Sequence, residues 1–228
     1  LKKLLILSGL LATLLAPLAG WSQAPYYQPQ PNYSAINPGG SPYDRYTTYQ
    51  ISARYTAALP LGDFKNYIDQ ASVRGFTLTG EWMFPNNVSV GAQVGYQAFT
   101  QRLPRAVYPL SDGSDLSAVQ TRTFTATPIQ LIGKYHLGPS SAAFRPYVQV
   151  GAGGSLTENI SYYGTLSEGG KGFRFAANAA VGTRLLFGKK GNFGADLSVG
   201  YQHISANFDY VKTYSALTGS VGVVYRWW

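Results

Sequence analysis

The 228-residue chain has no cysteine, one methionine and two histidines, and only 12% of its residues are charged. The lack of cysteine excludes a disulfide framework, a thiolate nucleophile and lipid attachment through cysteine. With only His136 and His203, and ten acidic residues scattered through different segments, no metal site or other cofactor is expected. No strongly periodic helix follows the first two dozen residues. Gly151, Gly153 and Gly154 sit inside an alternating segment with no following helix or Lys-Ser/Thr, which argues against a phosphate-binding loop. No Gly-x-Ser-x-Gly elbow is present. A hydrolase would have to assemble around His203 with Ser205, Asp196 or Asp209, and no residue is assigned a catalytic role. The formal charge of +8 is spread singly along the chain, so nucleic acid is not an expected partner.

What the chain does have begins with Leu1-Lys2-Lys3 and an apolar run over 4–18. This pattern predicts a signal peptide over 1–24, cut somewhere between 19 and 24. Residues 25–44 are rich in Pro, Tyr and Gln and predict a flexible periplasmic segment, with a tyrosine-bearing recognition arm or a segment entering the barrel as the alternatives. Residues 45–228 read as one domain.

In that domain, alternating segments recur near 48–59, 73–84, 88–100, 120–137, 146–159, 173–187, 192–207 and 213–228. The seventh sets Phe193, Ala195, Leu197, Val199 and Tyr201 against Gly194, Asp196, Ser198, Gly200 and Gln202. In the last, Val221, Val223, Tyr225 and Trp227 alternate with Ser220, Gly222 and Arg226. Most segments reach the roughly 9–11 residues that a tilted transmembrane strand needs, and aromatics gather at both ends of the apolar faces. Connections alternate between short ones and mostly longer ones at 62–72, 102–119 and 160–172. The pattern predicts an all-β fold, an eight-stranded antiparallel transmembrane β-barrel with both termini periplasmic, against the alternative of a soluble sandwich.

The inward register carries Arg54, Glu81, Lys134, Arg145, Arg174, Arg184, Asp196 and Arg226 among Gln and Asn residues. Such a set forms either a polar network filling a small barrel or a narrow channel for water or small, preferentially anionic solutes. Outside, the long connections carry Arg105, Tyr108, Tyr162 and Tyr163 as candidates for loop recognition.

The signal segment, 193–201, the 128–135 stretch Pro-Ile-Gln-Leu-Ile-Gly-Lys-Tyr and the 221–228 terminus together resemble the small outer membrane β-barrel proteins of Gram-negative bacteria. That superfamily includes the OmpA-type transmembrane domain and the OmpX- and OmpW-like barrels. The resemblance implies outer membrane lipid and lipopolysaccharide as surroundings, and assembly by the outer-membrane insertion machinery through a terminal aromatic, here Trp227 or Trp228. No family role carries over to particular residues; the residues themselves predict a monomer whose role is non-enzymatic, either envelope-structural or recognition of an unidentified extracellular ligand through its loops.

Overall fold

The computed structural model describes residues 47–85, 87–109, 115–138, 142–164, 166–187, 192–205 and 213–227. The expected signal peptide and the 25–44 segment lie outside them, as do Asp209, Trp228 and the side chain of Tyr108.

Eight strands, β1 (Thr48–Leu61), β2 (Arg74–Met83), β3 (Val88–Pro109), β4 (Asp115–His136), β5 (Phe144–Tyr163), β6 (Leu166–Phe187), β7 (Phe193–Ile204) and β8 (Tyr214–Trp227), form a closed antiparallel barrel in sequential order. Closure runs through β1 and β8, with Tyr49 opposite Trp227 and Leu61 opposite Ser215. The strands are inside-out relative to those of a soluble protein. Leu131 is 74% exposed and Phe173 68%, while Gln130, Arg184 and Asp196 are buried. Apolar side chains turned outward and polar ones inward suit lipid as the outer solvent. In lipid, an unpaired strand edge costs several kcal/mol per group, which is why the sheet closes. The belt is bounded by two aromatic rows: Trp82, Tyr135, Phe144, Phe187, Phe193 and Tyr225 near the short turns, and Tyr55, Phe76, Tyr96, Phe173 and Tyr201 near the long hairpins.

Two expectations need correction. Within the 102–119 and 160–172 stretches the described residues are almost all paired strand rather than long loop. β3 to β6 run 20–22 residues, whereas β1, β2, β7 and β8 run 10–14. Their outer ends carry no apolar alternation to betray them, because above the belt the outward side chains meet water. Thr121, Thr123 and Thr125 on β4 and Gly169 and Lys171 on β6 are typical. The surplus length forms a four-stranded sheet standing on the order of 25 Å beyond the upper aromatic row, from about ten residues at strand rise and barrel tilt. A register shift between Arg102 and Arg105 marks a bulge in β3.

The second correction is a helix where none was expected, α1 (Gly62–Tyr67). Gly62, at φ 58°, takes a left-handed conformation that lets the chain leave β1 and turn into the barrel mouth. No side chain caps its N-terminus, so α1 is held by what it buries, Phe64 and Tyr67. No described helix is long and apolar enough to cross a membrane; the strands do the crossing.

Candidate functional site: a lumen closed at two levels

In the half of the lumen nearest the short turns, inward side chains of β1, β2, β4, β6 and β7 meet in one ionic cluster. Glu81 Oε1 accepts from Lys134 Nζ at 2.6 Å and from Arg184 Nη2 at 2.8 Å. Its Oε2 accepts from Arg184 Nη2 at 2.9 Å and from the Ser89 hydroxyl at 3.0 Å. Arg184 and Asp196, paired across β6 and β7, join at 3.3 Å through Nε and Oδ2. Asp196 Oδ1 accepts from Tyr147 Oη at 2.7 Å and faces Arg54 Nη1 at 3.6 Å. Arg54 also donates to Ser198 at 3.1 Å, and to Thr79 and Gln93 at 3.2 Å each. Gly182, opposite Tyr147, makes room for it: a Cβ there would stand 2.6 Å from the tyrosine oxygen. His136 Nε2 lies 3.2 Å from Arg184 Nη1, which can only donate, so His136 accepts there and carries its ring proton on Nδ1.

Thus Arg54, Glu81, Lys134, Arg184 and Asp196 converge. Arg145, also fully buried, donates instead to Met83 Sδ at 2.9 Å and Asn87 Oδ1 at 3.0 Å. Arg226 is buried opposite Gln50. Arg174 lies well away along β6, half-buried and opposite Ser155. Sequence reasoning left Tyr147 without a role, although its place on the inward register of β5 is legible.

The half nearest the hairpins is closed by different chemistry. Phe64 of α1 is fully buried and packs edge-on against Phe99, Phe124 and Tyr214, with ring centroids 5.1, 4.9 and 4.7 Å away. Ala58, Ala126, Ala176 and Ala216, buried on β1, β4, β6 and β8, leave the space this insertion fills, and Ile68 and Ile204 complete the cluster. Tyr67 anchors the end of α1, donating to Asn159 Oδ1 at 2.7 Å, while Arg122 lies 4.8 Å over its ring and donates to its backbone oxygen at 3.0 Å. The returning chain pairs Ser72 with Ala58, and the Ser72 hydroxyl donates to the Ala98 carbonyl. Inward-register Phe99, Phe124 and Tyr214 were the available signal: aromatics among glutamines imply something apolar inside.

Between the two closures lies a cavity of about 60 Å³, lined by Arg54, Gln93, Gln149, Asn178, Ser198 and Tyr214 among others. An amide chain crosses this level. Gln149 donates to Gln93 at 3.1 Å, and Asn178 to Gln130 at 2.8 Å.

On the projecting sheet, Arg105 is exposed and Tyr162 turns outward, whereas its neighbour Tyr163 is buried on the inner face and accepts from Gln120 at 2.8 Å. The two tyrosines therefore do not share a surface. His203 and Asp196 lie on opposite faces of β7, and His203 Nδ1 stands 3.4 Å from the Ser215 hydroxyl. The one serine–histidine contact in the ionic cluster, Ser89 to His136 at 3.1 Å, is fully buried beneath the side chains above it. Among the described residues no group of three His, Asp or Glu converges to hold a metal ion.

No family model and no curated protein matches the chain. Among solved structures it resembles Neisserial surface protein A, at 13% identity, covering 78% of this chain and 96% of that one with a TM-score of 0.50. It also resembles Ail, the attachment invasion locus protein of Yersinia pestis, solved with the heparin analogue sucrose octasulfate, at 14% identity, 79% and 97% coverage and a TM-score of 0.45. The outer membrane protease OmpT of Escherichia coli aligns at 8% identity, 79% and 97% coverage and a TM-score of 0.46. At such identities the likeness carries the fold alone. The closed sheet with its lipid-facing belt, in a fold shared with a small Gram-negative barrel, places the chain in the bacterial outer membrane as a multi-pass β-barrel, its short turns on the periplasmic side.

Proposed function

We propose that the protein is a non-conducting, non-enzymatic barrel of the cell envelope that holds out a four-stranded sheet for recognition at the cell surface. The observation that carries this is the double closure: Phe64 in the mouth and the Glu81–Arg184–Asp196 layer below it both stand across the lumen. A narrow channel needs a continuous wet path, and these side chains occupy it. The projecting sheet has the features of a contact surface. It sits on a rigid base, and β3 loses its β2 partner beyond Ala98 while β6 gains its β7 partner only at Ala176, which leaves backbone groups open along two edges. Outer-leaflet lipid and lipopolysaccharide are its immediate surroundings, and the chain needs no second copy to close.

Planar-bilayer recording of the refolded protein tests the first half: the wild type stays silent, and regular unit conductances would refute closure. Replacing residues 103–117 and 161–168 by tight turns tests the second. The shortened barrel still folds and resists extraction, but cells carrying it lose surface attachment; undiminished attachment would leave only the structural role.

A further inference from the structure

We propose that the chamber between the two closures is a binding site for one small monovalent anion, such as a halide, held beside Arg54. This rests on the lumen being closed as described, but it concerns the interior and not the recognition surface.

The first ground is charge. The cluster contains Arg54, Lys134 and Arg184 against Glu81 and Asp196, three cations to two carboxylates, each at most 5% exposed. A buried charge needs a counter-charge. The carboxylates spend their hydrogen bonds on other donors: Glu81 receives Lys134, Arg184 and Ser89, and Asp196 receives Arg184 and Tyr147. Arg54 is the weakly matched member, since its approach to Asp196 is 3.6 Å and its hydrogen bonds go to hydroxyl and amide oxygens, which carry no charge.

The second ground is space and donors. The chamber of about 60 Å³ is bounded by Arg54 itself, and the Nε–H of Arg54, buried, has no protein partner. Ser198 accepts from Arg54 and so keeps its own hydroxyl proton to donate. Thr56, Thr77 and Ser220, whose hydroxyls touch at 3.0–3.1 Å, line the same chamber and can turn a proton toward it. A guanidinium edge with hydroxyl donors and no acidic residue in the lining suits a halide, and Ile204 and Tyr214 bound the chamber on the plug side. Strand-borne donors fixed across a closed sheet hold the ion in place; they do not pass it on.

Refolding the protein in bromide and locating bromine by anomalous diffraction tests the site. One peak within about 3.5 Å of Arg54, at hydrogen-bond range, is expected, and it disappears in Arg54→Met while Arg54→Lys retains it. Wild-type crystals with only water in the chamber overturn the proposal, as does a peak that persists in Arg54→Met. Should Arg54→Met fail to fold, wild-type unfolding still decides. The midpoint in urea rises with bromide concentration relative to gluconate, too bulky for the chamber, at equal ionic strength; identical midpoints refute binding. Conductance separates this outcome from the closure itself, because a silent barrel without bromide leaves the closure standing and the anion site refuted.

Discussion

Near the turns the lumen is filled by Glu81, Lys134, Arg184, Asp196 and Arg54, each borne on a different strand, whereas near the hairpins it is filled by Phe64, borne on a short helix between strands and seated among alanines. The first closure is part of the wall and forms only when five strands have found their register. The second is an insertion into a finished mouth, and the wall has been thinned by Ala58, Ala126, Ala176 and Ala216 to receive it. The difference bears on how each fails. Removing one member of an ionic layer strands the others without water, but removing the aromatic insertion leaves an apolar hole and an intact barrel.

The largest effect is expected at Glu81. Glu81→Gln leaves Lys134 and Arg184 buried with one carboxylate fewer, and costs about 3–5 kcal/mol of folding free energy, measured by urea titration in micelles. The paired change Glu81→Met with Lys134→Met should cost less than Glu81→Gln alone, because it removes a charge of each sign. A loss below about 1 kcal/mol for Glu81→Gln would mean that water reaches this layer.

Phe64→Ala comes next, at about 3 kcal/mol, the low end for a buried phenylalanine because α1 is short and can settle into the space. It should leave the barrel electrically silent, since the ionic layer below still stands. Conductance from Phe64→Ala alone would assign the whole closure to the plug and reduce the ionic layer to a wet lining.

Adjacent residues on β7 separate lumen from lipid. Val199→Arg sets a charge in the apolar belt and should cost about 2–4 kcal/mol, while Ser198→Ala removes one hydrogen bond to Arg54 and should cost about 1 kcal/mol. Equal costs would contradict the assignment of the two faces. Topology has its own check: a cysteine at Val107, 64% exposed on the projecting sheet, labels from outside intact cells, and one at Pro85 in a short turn does not.

The strand count, the two faces and the side on which the hairpins lie were legible because lipid imposes a period of two wherever a strand crosses it. Arg54, Glu81, Lys134, Arg184 and Asp196 were legible as inward residues for the same reason, but their convergence depends on register, which alternation in a single strand does not carry. The upper parts of β3 to β6 read as loops because their outward positions, such as Thr121, Thr123, Thr125 and Lys171, face water, so the period survives in the backbone without a hydrophobic trace. The plug was hidden for a different reason. Six residues are too few for helical periodicity to show, and Phe64 has meaning only beside Phe99, Phe124 and Tyr214, which come from three distant segments.

The smallest expected effect tests whether surroundings or pairing decide the worth of an ion pair. Lys171 and Glu158 meet at 2.8 Å on the outer wall of the projecting sheet, close to the 2.6 Å of Lys134 and Glu81 within the lumen. The outer pair has side chains 76% and 35% exposed; the inner pair has 0% and 1%. Water already solvates Lys171, so Lys171→Ala should cost no more than about 1 kcal/mol, and salt should shrink even that. Lys134→Ala, by contrast, takes the Nζ at 2.6 Å from a carboxylate that has no water to turn to, and its cost should be several-fold larger and nearly indifferent to salt. Urea titrations of both variants at low and high salt give the two slopes directly. If the Lys134 variant proved as mild and as salt-sensitive as the Lys171 variant, the inner layer would be an aqueous lining, and the barrel would be held shut by its aromatic plug alone.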